Sequence, residues 1–179
     1  MATNDAIAAV QQRFPDLSIV ARPMMVYADG RDSGQLYLSV PAARLVDVCK
    51  FLRDDPRCRF DQVADITCVD YLNYPNPPSD ERFGVTYALS SLPRNDRLWI
   101  KVFVSDPSPT VPSVVDIWKG ANWMEREVFD LFGISFSGHP DLRRILCPEW
   151  FTAHPLRKDY PLTGQGEREQ FEVITRESA

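Results

Sequence analysis

"RFGVTYALSSLPRNDRLWIKVFVS", residues 82–105, decides the fold. Two alternating runs stand on either side of "PRND". In the second run Leu98, Ile100, Val102 and Val104 share one face, and Trp99, Lys101 and Phe103 share the other. A side-chain period of two is that of a strand, and the short polar break is that of a turn. The stretch therefore predicts two antiparallel strands. Hairpins of this kind bury one face and leave the other for a partner.

Working outward, "FDQVADITCVDYL" (60–72) predicts a largely buried strand through Val63, Ile66, Cys68 and Val69. The proline-rich "NYPNPPSDE" (73–81) predicts an exposed loop. Before these, "PAARLVDVCKFLRDD" (41–55) sets Leu45, Val48, Cys49 and Leu52 on one helical face, with Pro41 where a first turn tolerates it. "SIVARPMMVYADG" (18–30) and "GQLYLSVP" (34–41) predict a hairpin around an Asp29–Gly30 turn. Ile7, Val10 and Phe14 mark a short helix over 4–14, ended by Pro15 and capped by Asn4 or Asp5. The order helix, two strands, helix, three strands predicts an α+β fold. It is a two-layer sandwich of two helices on a mixed, mostly antiparallel five-stranded sheet, with an extended C-terminal strap.

Three regions follow. Residues 1–105 form the sandwich. Residues 106–137 read as a proline-rich linker plus short helices, "VVDIW" (114–118) and "ANWMEREVFDLFG" (121–133). In 138–179, Pro140, Pro148, Pro155 and Pro161 exclude long helices and central strands, which predicts an extended docking segment.

The 179 residues are 44% apolar, enough for a core that buries about 70% of the unfolded surface. A net charge of −5 disfavours a general nucleic-acid role. Cys49, Cys58, Cys68 and Cys147 lack the close spacing of zinc or iron–sulfur ligands and are expected as reduced, mostly buried thiols. No apolar run approaches the ~18 residues of a membrane span. The start resembles neither a secretory signal nor a transit peptide, so cytosolic residence is expected, with docking on a membrane complex left open.

Both histidines and two basic pairs lie in "GHPDLRRILCPEWFTAHPLRKDYPL" (138–162). A metal site, a catalytic site and a docking strap compete for them. His139 and His154 are 15 positions apart, unlike typical metal pairs. Proline after each histidine holds the chain extended, and the imidazoles can anchor loops. Arg143, Arg144 and Arg157 are forks for carboxylates, and the interleaved Asp141, Glu149 and Asp159 favour a protein partner over phosphate. Trp150, Phe151 and Tyr160 offer aromatic anchors. The plainer alternative folds this segment back onto its own sheet, which leaves its outer side free to dock.

In the helix at 122–132, Met124, Val128, Leu131 and Phe132 share a face, and Gly133 is placed as a left-handed cap. Glu127 and Asp130 stand one turn apart, as an acid–base pair, a cation site, or partners of Arg126 and the nearby arginines.

"EREVFDLFGISFSGHPDLRRI" (125–145) carries a resemblance. Its Glu125-Arg126-Glu127, Asp130, Leu131-Phe132, His139, Arg143 and Ile145 fill the pattern of the 30-kilodalton subunit family of respiratory complex I, known in bacterial NADH–quinone oxidoreductases as the C-subunit family. "HPLRKDYPL" (154–162) is similar to that family's second block. The resemblance implies a non-catalytic subunit in the peripheral arm of a proton-translocating NADH–quinone oxidoreductase, at the cytoplasmic face of the bacterial inner membrane. It implies that the chain braces the hydrogenase-like D subunit near the quinone site, beside the B subunit, and touches the membrane only through the complex. No cofactor is expected on this chain; FMN and iron–sulfur clusters are expected on other subunits. The implied docking positions are Glu125, Arg126, Glu127, Asp130, His139, Arg143, Arg144, His154, Arg157 and Lys158. An equivalent place in a membrane-bound hydrogenase or F420H2 dehydrogenase complex is the alternative. From another class, the rival is a free-standing enzyme using Glu127, Asp130 and a histidine.

Overall fold

The structure is a computed structural model that describes residues 2–17, 21–24, 29–31 and 33–165. The long hairpin forms as the alternation requires. Strands β4 (Phe83–Ser91) and β5 (Asp96–Val104) pair antiparallel along their whole length, Phe83 opposite Val104 and Ser91 opposite Asp96. Strand β3 (Gln62–Asp70) adds antiparallel to β4. On the other side β2 (Leu36–Ser39) runs parallel to β5, and β1 (Ala21–Pro23) closes the hairpin with β2. The sheet order is β1-β2-β5-β4-β3. This is the mixed, mostly antiparallel five-stranded α+β fold.

Helix α1 (Ala2–Arg13) begins earlier than expected, so Asn4 and Asp5 fall inside its first turn and do not cap it. Asp5 there still suits the positive end of the helix dipole. Helix α2 (Leu45–Asp54) follows a short 3-10 turn at Ala42–Arg44 and buries Leu45, Val48, Cys49 and Leu52. These residues meet Leu38, Val85, Tyr87, Ile100 and Val102 of the sheet, Val10 of α1 and Phe14 just past its end in one core. Each large aliphatic side chain enclosed there contributes about 1.5–3 kcal/mol.

Val69 does not join this core and is 38% exposed. The β3–β4 register shifts between Val63 and Asp65. Val63, Ile66 and Cys68 therefore face inward on either side of a bulge, while Val69 points the other way.

The stretch expected to be a linker is packed. Val111, Val114, Val115, Ile117, Trp118, Val128, Phe132, Ile134 and Phe136 belong to the same core as residues 1–105. β6 (Thr110–Pro112) and β7 (Ser135–Ser137) form a small parallel pair, and between them α3 (Ala121–Phe132) adds a third helix, in contact with β3. "VVDIW" is a turn and not a helix: the N–H groups of Ile117 and Trp118 both reach the Val114 carbonyl. The Trp118 indole donates to the Phe60 carbonyl at 3.1 Å, which ties that turn to the chain leading into β3.

Candidate functional site

A helix leaves its last carbonyls without intrahelical partners. At the end of α3 those carbonyls organise the strap. Gly133 adopts φ 74° and donates its N–H to the Phe129 carbonyl, the expected left-handed cap. The other three carbonyls are taken by residues more than twenty positions on. His154 Nδ1 bonds the Asp130 carbonyl at 2.9 Å, the Leu156 N–H bonds Leu131 at 3.1 Å, and Arg157 Nε bonds Phe132 at 2.7 Å. Gly133 is needed twice over, because a Cβ there would lie 2.6 Å from the His154 ring.

Asp130 is the second anchor. It is fully buried, and its Oδ2 accepts the N–H groups of Ile145, Leu146 and Cys147 at 3.0, 2.7 and 2.9 Å. Its Oδ1 accepts Arg144 Nη1 at 2.6 Å. Burial alone would raise the Asp130 pKa. The Cys147 and Leu146 amides, the Arg144 guanidinium and the Ile145 amide outweigh it and hold the carboxyl at about 2. Arg144 also bonds the Ala153 carbonyl and lies over the Phe151 ring. Arg126 reaches from the helix to the Arg143 and Arg144 carbonyls at 3.0 and 3.3 Å and stacks on Trp123.

A third anchor joins the strap to the sheet. Arg82 bonds Asp70 through Nε and Nη2, Asp106 through Nη1, and Asp159 through Nη2. Asp70 also accepts the Lys158 N–H at 2.9 Å. Burial works to raise the Asp70 pKa, but Arg82 and the Lys158 and Leu72 amides bring it below the ordinary value. Arg157 reaches Asp106 as well, and Arg82 and Arg157 both lie over the Phe83 ring.

The expected docking residues thus separate. Glu125, Arg126 and Asp130 are buried, and Arg144, His154 and Arg157 spend their polar atoms inside the chain. Arg126, Asp130, Arg144, His154 and Arg157 hold the strap to its own fold, and Glu125 is enclosed beneath α3 by Ser113 and Val114. Glu127 faces outward and Arg143 is exposed, paired with the exposed Asp141. Lys158 is exposed, with its ammonium over Tyr74.

The histidines hold opposite ends of α3. His139 Nδ1 accepts the Asp141 N–H, so its Nε2 donates to the Asn122 carbonyl at 3.2 Å. The carbonyls held by His139 and His154 are eight residues apart, about 12 Å along the axis at the helical rise. The pair is therefore placed to brace a helix and not to share an ion. Among the described residues no three of His, Cys, Asp and Glu converge to hold a metal. Cys49, Cys58 and Cys68 are buried and Cys147 half-buried, all as free thiols.

Glu125 occupies the interior. Ser113 Oγ donates to it at 2.6 Å and the Val114 N–H at 2.7 Å, while burial raises its pKa to about 7. Of the readings open for Glu127 and Asp130, the structure shows an arginine partner for Asp130, which pairs with Arg144, while Glu127 lies outside. Sequence reasoning missed Ser113, Asp70, Arg82 and Asp106, and gave Asp159 to a partner where it pairs with Arg82 of its own sheet. Glu125 was named as a docking position, and its burial had a signal in its spacing with Ala121, Val128 and Phe132 on the buried face.

These features define an α+β sandwich whose charged strap is laced back onto one helix end and one sheet end. The family described as "Respiratory-chain NADH dehydrogenase, 30 Kd subunit" matches residues 38–166, and the chain belongs to it. Relatives that carry the name of the C subunit of NADH-quinone oxidoreductase include those of Burkholderia multivorans, 51% identical over 73% of this chain and 66% of the relative, and Caulobacter vibrioides, 48% identical over 82% and 71%. That of Brucella ovis is 51% identical over 73% and 62%. The chain spans about two thirds of the length of these relatives. Among solved structures it is similar to a trypsin-resistant fragment of Nqo5, 34% identical, TM-score 0.60, covering 76% of this chain and 99% of that one. A chain of the archaeal membrane-bound sulfane sulfur reductase shares the fold at 18% identity and TM-score 0.68, covering 96% and 98%. No helix among the described residues is long and apolar enough to cross a membrane.

Proposed function

We propose that the chain is a non-catalytic peripheral-arm subunit of a proton-translocating NADH–quinone oxidoreductase, held at the cytoplasmic face of the membrane by its partners. It braces the hydrogenase-like D subunit near the quinone site, beside the B subunit, while FMN and iron–sulfur clusters reside on other subunits. Family membership supports this reading. One observation carries it: the strap turns Arg144, His154 and Arg157 inward and leaves Leu146, Trp150 and Leu156 outward. Leu146, Trp150 and Leu156 are 61%, 56% and 52% exposed, and Trp123 on α3 is 64% exposed. A strap that only closed its own fold would present the reverse. Rigid aromatic groups on a fixed backbone are what protein interfaces use as anchors.

The test is co-purification of the assembled complex with Trp150→Ala and Arg143→Glu variants of the full chain. Both residues are solvent-facing, so the isolated variants are expected to unfold within about 0.5 kcal/mol of wild type. Recovery with the hydrogenase-like partner is expected to fall about tenfold or more, as for a lost anchor. Normal recovery of both variants would overturn the strap as the docking surface.

A further inference from the structure

The sheet face opposite the helices carries a group that the fold does not use. Lys101 is 7% exposed, on the central strand β5. Its ammonium lies 4.6 Å from the centre of the Tyr37 ring and 3.5 Å from the Tyr71 hydroxyl. No carboxylate among the described residues forms an ion pair with it, and burial alone depresses its pKa. An ammonium so enclosed is costly without a counter-charge.

The surroundings are built. A recess of about 290 Å³ opens over Lys101, walled by Tyr37, Tyr71, Tyr74, Asn76, Pro78 and Met24. Tyr71 lies over the sheet because Gly84 has no side chain: a Cβ there would sit 2.8 Å from the Tyr71 ring. Tyr74 packs edge-on against Tyr71, and Arg22 holds the loop to β1 through the Pro78 carbonyl. The result is a slot with aromatic walls and one buried cation at its floor.

We propose that this recess is a receptor for a single acidic side chain, aspartate or glutamate, of a neighbouring subunit. This rests on the reading of the chain as a subunit of an assembly. Charge complementarity selects the occupant: one ammonium with unused donors asks for one carboxylate. The strap reaches only the rim of the recess, where the exposed Lys158 holds its ammonium over Tyr74. Removing one member of a desolvated charge pair weakens association strongly.

The experiment treats the assembled complex, carrying tagged full chain, with a water-soluble carbodiimide, which joins a lysine amine to a touching carboxylate with loss of water. Peptide mass spectrometry then locates the bonds. The expected result is Lys101 joined to an Asp or Glu of another polypeptide. In parallel, Lys101→Met is expected to lower recovery of partner subunits about tenfold or more, while leaving the urea midpoint of the isolated chain unchanged or raised. Lys101 joined only to an acid of its own chain overturns the proposal, as does no Lys101 product while exposed Lys119 reacts. So does a lowered urea midpoint, which would make Lys101 a folding residue. If wild-type chain brings no other subunit with it, the assembly reading fails and this inference with it. If wild type and Lys101→Met bring equal amounts, this inference fails alone.

Discussion

Arg144 and Asp130 meet at 2.6 Å with the carboxylate fully buried, and the same carboxylate accepts three consecutive backbone amides. The ion pair therefore also folds the loop that carries Arg144. Asp130→Asn removes the charge and turns a donor toward groups that need an acceptor. It is expected to cost about 3–5 kcal/mol by urea denaturation, with faster hydrogen exchange at Ile145, Leu146 and Cys147.

Acid should release the same contact. The folded Asp130 pKa is about 2 against an ordinary 3.8, so the unfolded chain takes up its proton first as pH falls. The contribution, about 2 kcal/mol, is complete above pH 3.8 and is lost between there and pH 2. The difference in unfolding free energy between wild type and Asp130→Asn, measured across pH 2–5, is expected to shrink over that window.

Glu125 runs the other way. Its folded pKa is raised to about 7 from 4.5, so the native state keeps a proton that the unfolded chain has released. Its contribution is greatest below pH 4.5, falls as pH rises to about 7, and is level above. Glu125→Gln stays neutral and is expected to flatten this decline by a few kcal/mol. Thermal unfolding of both proteins at intervals from pH 4.5 to 8 gives the comparison.

Gly133→Ala meets two objections at once, a φ of 74° and a Cβ 2.6 Å from the His154 ring. A loss of about 1–3 kcal/mol is expected, with the strap displaced from the helix end. Limited trypsinolysis should then cut after Arg157 or Lys158 well before it cuts wild type.

Arg82 serves Asp70, Asp106 and Asp159 together, which an ammonium cannot match in geometry. Arg82→Lys is expected to lose at least about 1 kcal/mol and Arg82→Ala about 3–5 kcal/mol, read from urea midpoints.

The sheet was legible because β4 and β5 keep strict alternation and β3 departs from it only at one bulge. α2 was legible from Leu45, Val48, Cys49 and Leu52, and the end of α3 from Gly133. The site was legible as a region but not as a circuit. Asp70 and Lys158 are joined across 88 positions, and nothing local to either residue names the other. Arginines within a proline-broken run look available for a partner. Here Arg144 and Arg157 are drawn inward by unpaired carbonyls at the end of α3, a demand that appears only once the helix is placed beside the strap. Lys101 was assigned to the correct face from alternation alone, but its enclosure depends on a loop that Gly84 admits.

The strap is secured largely through main-chain groups: the carbonyls of Asp130, Leu131 and Phe132, and the amides of residues 145–147, 156 and 158. Its course is thus set apart from the identity of its outward side chains. Leu146, Trp150 and Leu156 can be exchanged for others without rerouting the backbone beneath them. A protein made this way can follow sequence drift in its neighbours while keeping its own shape.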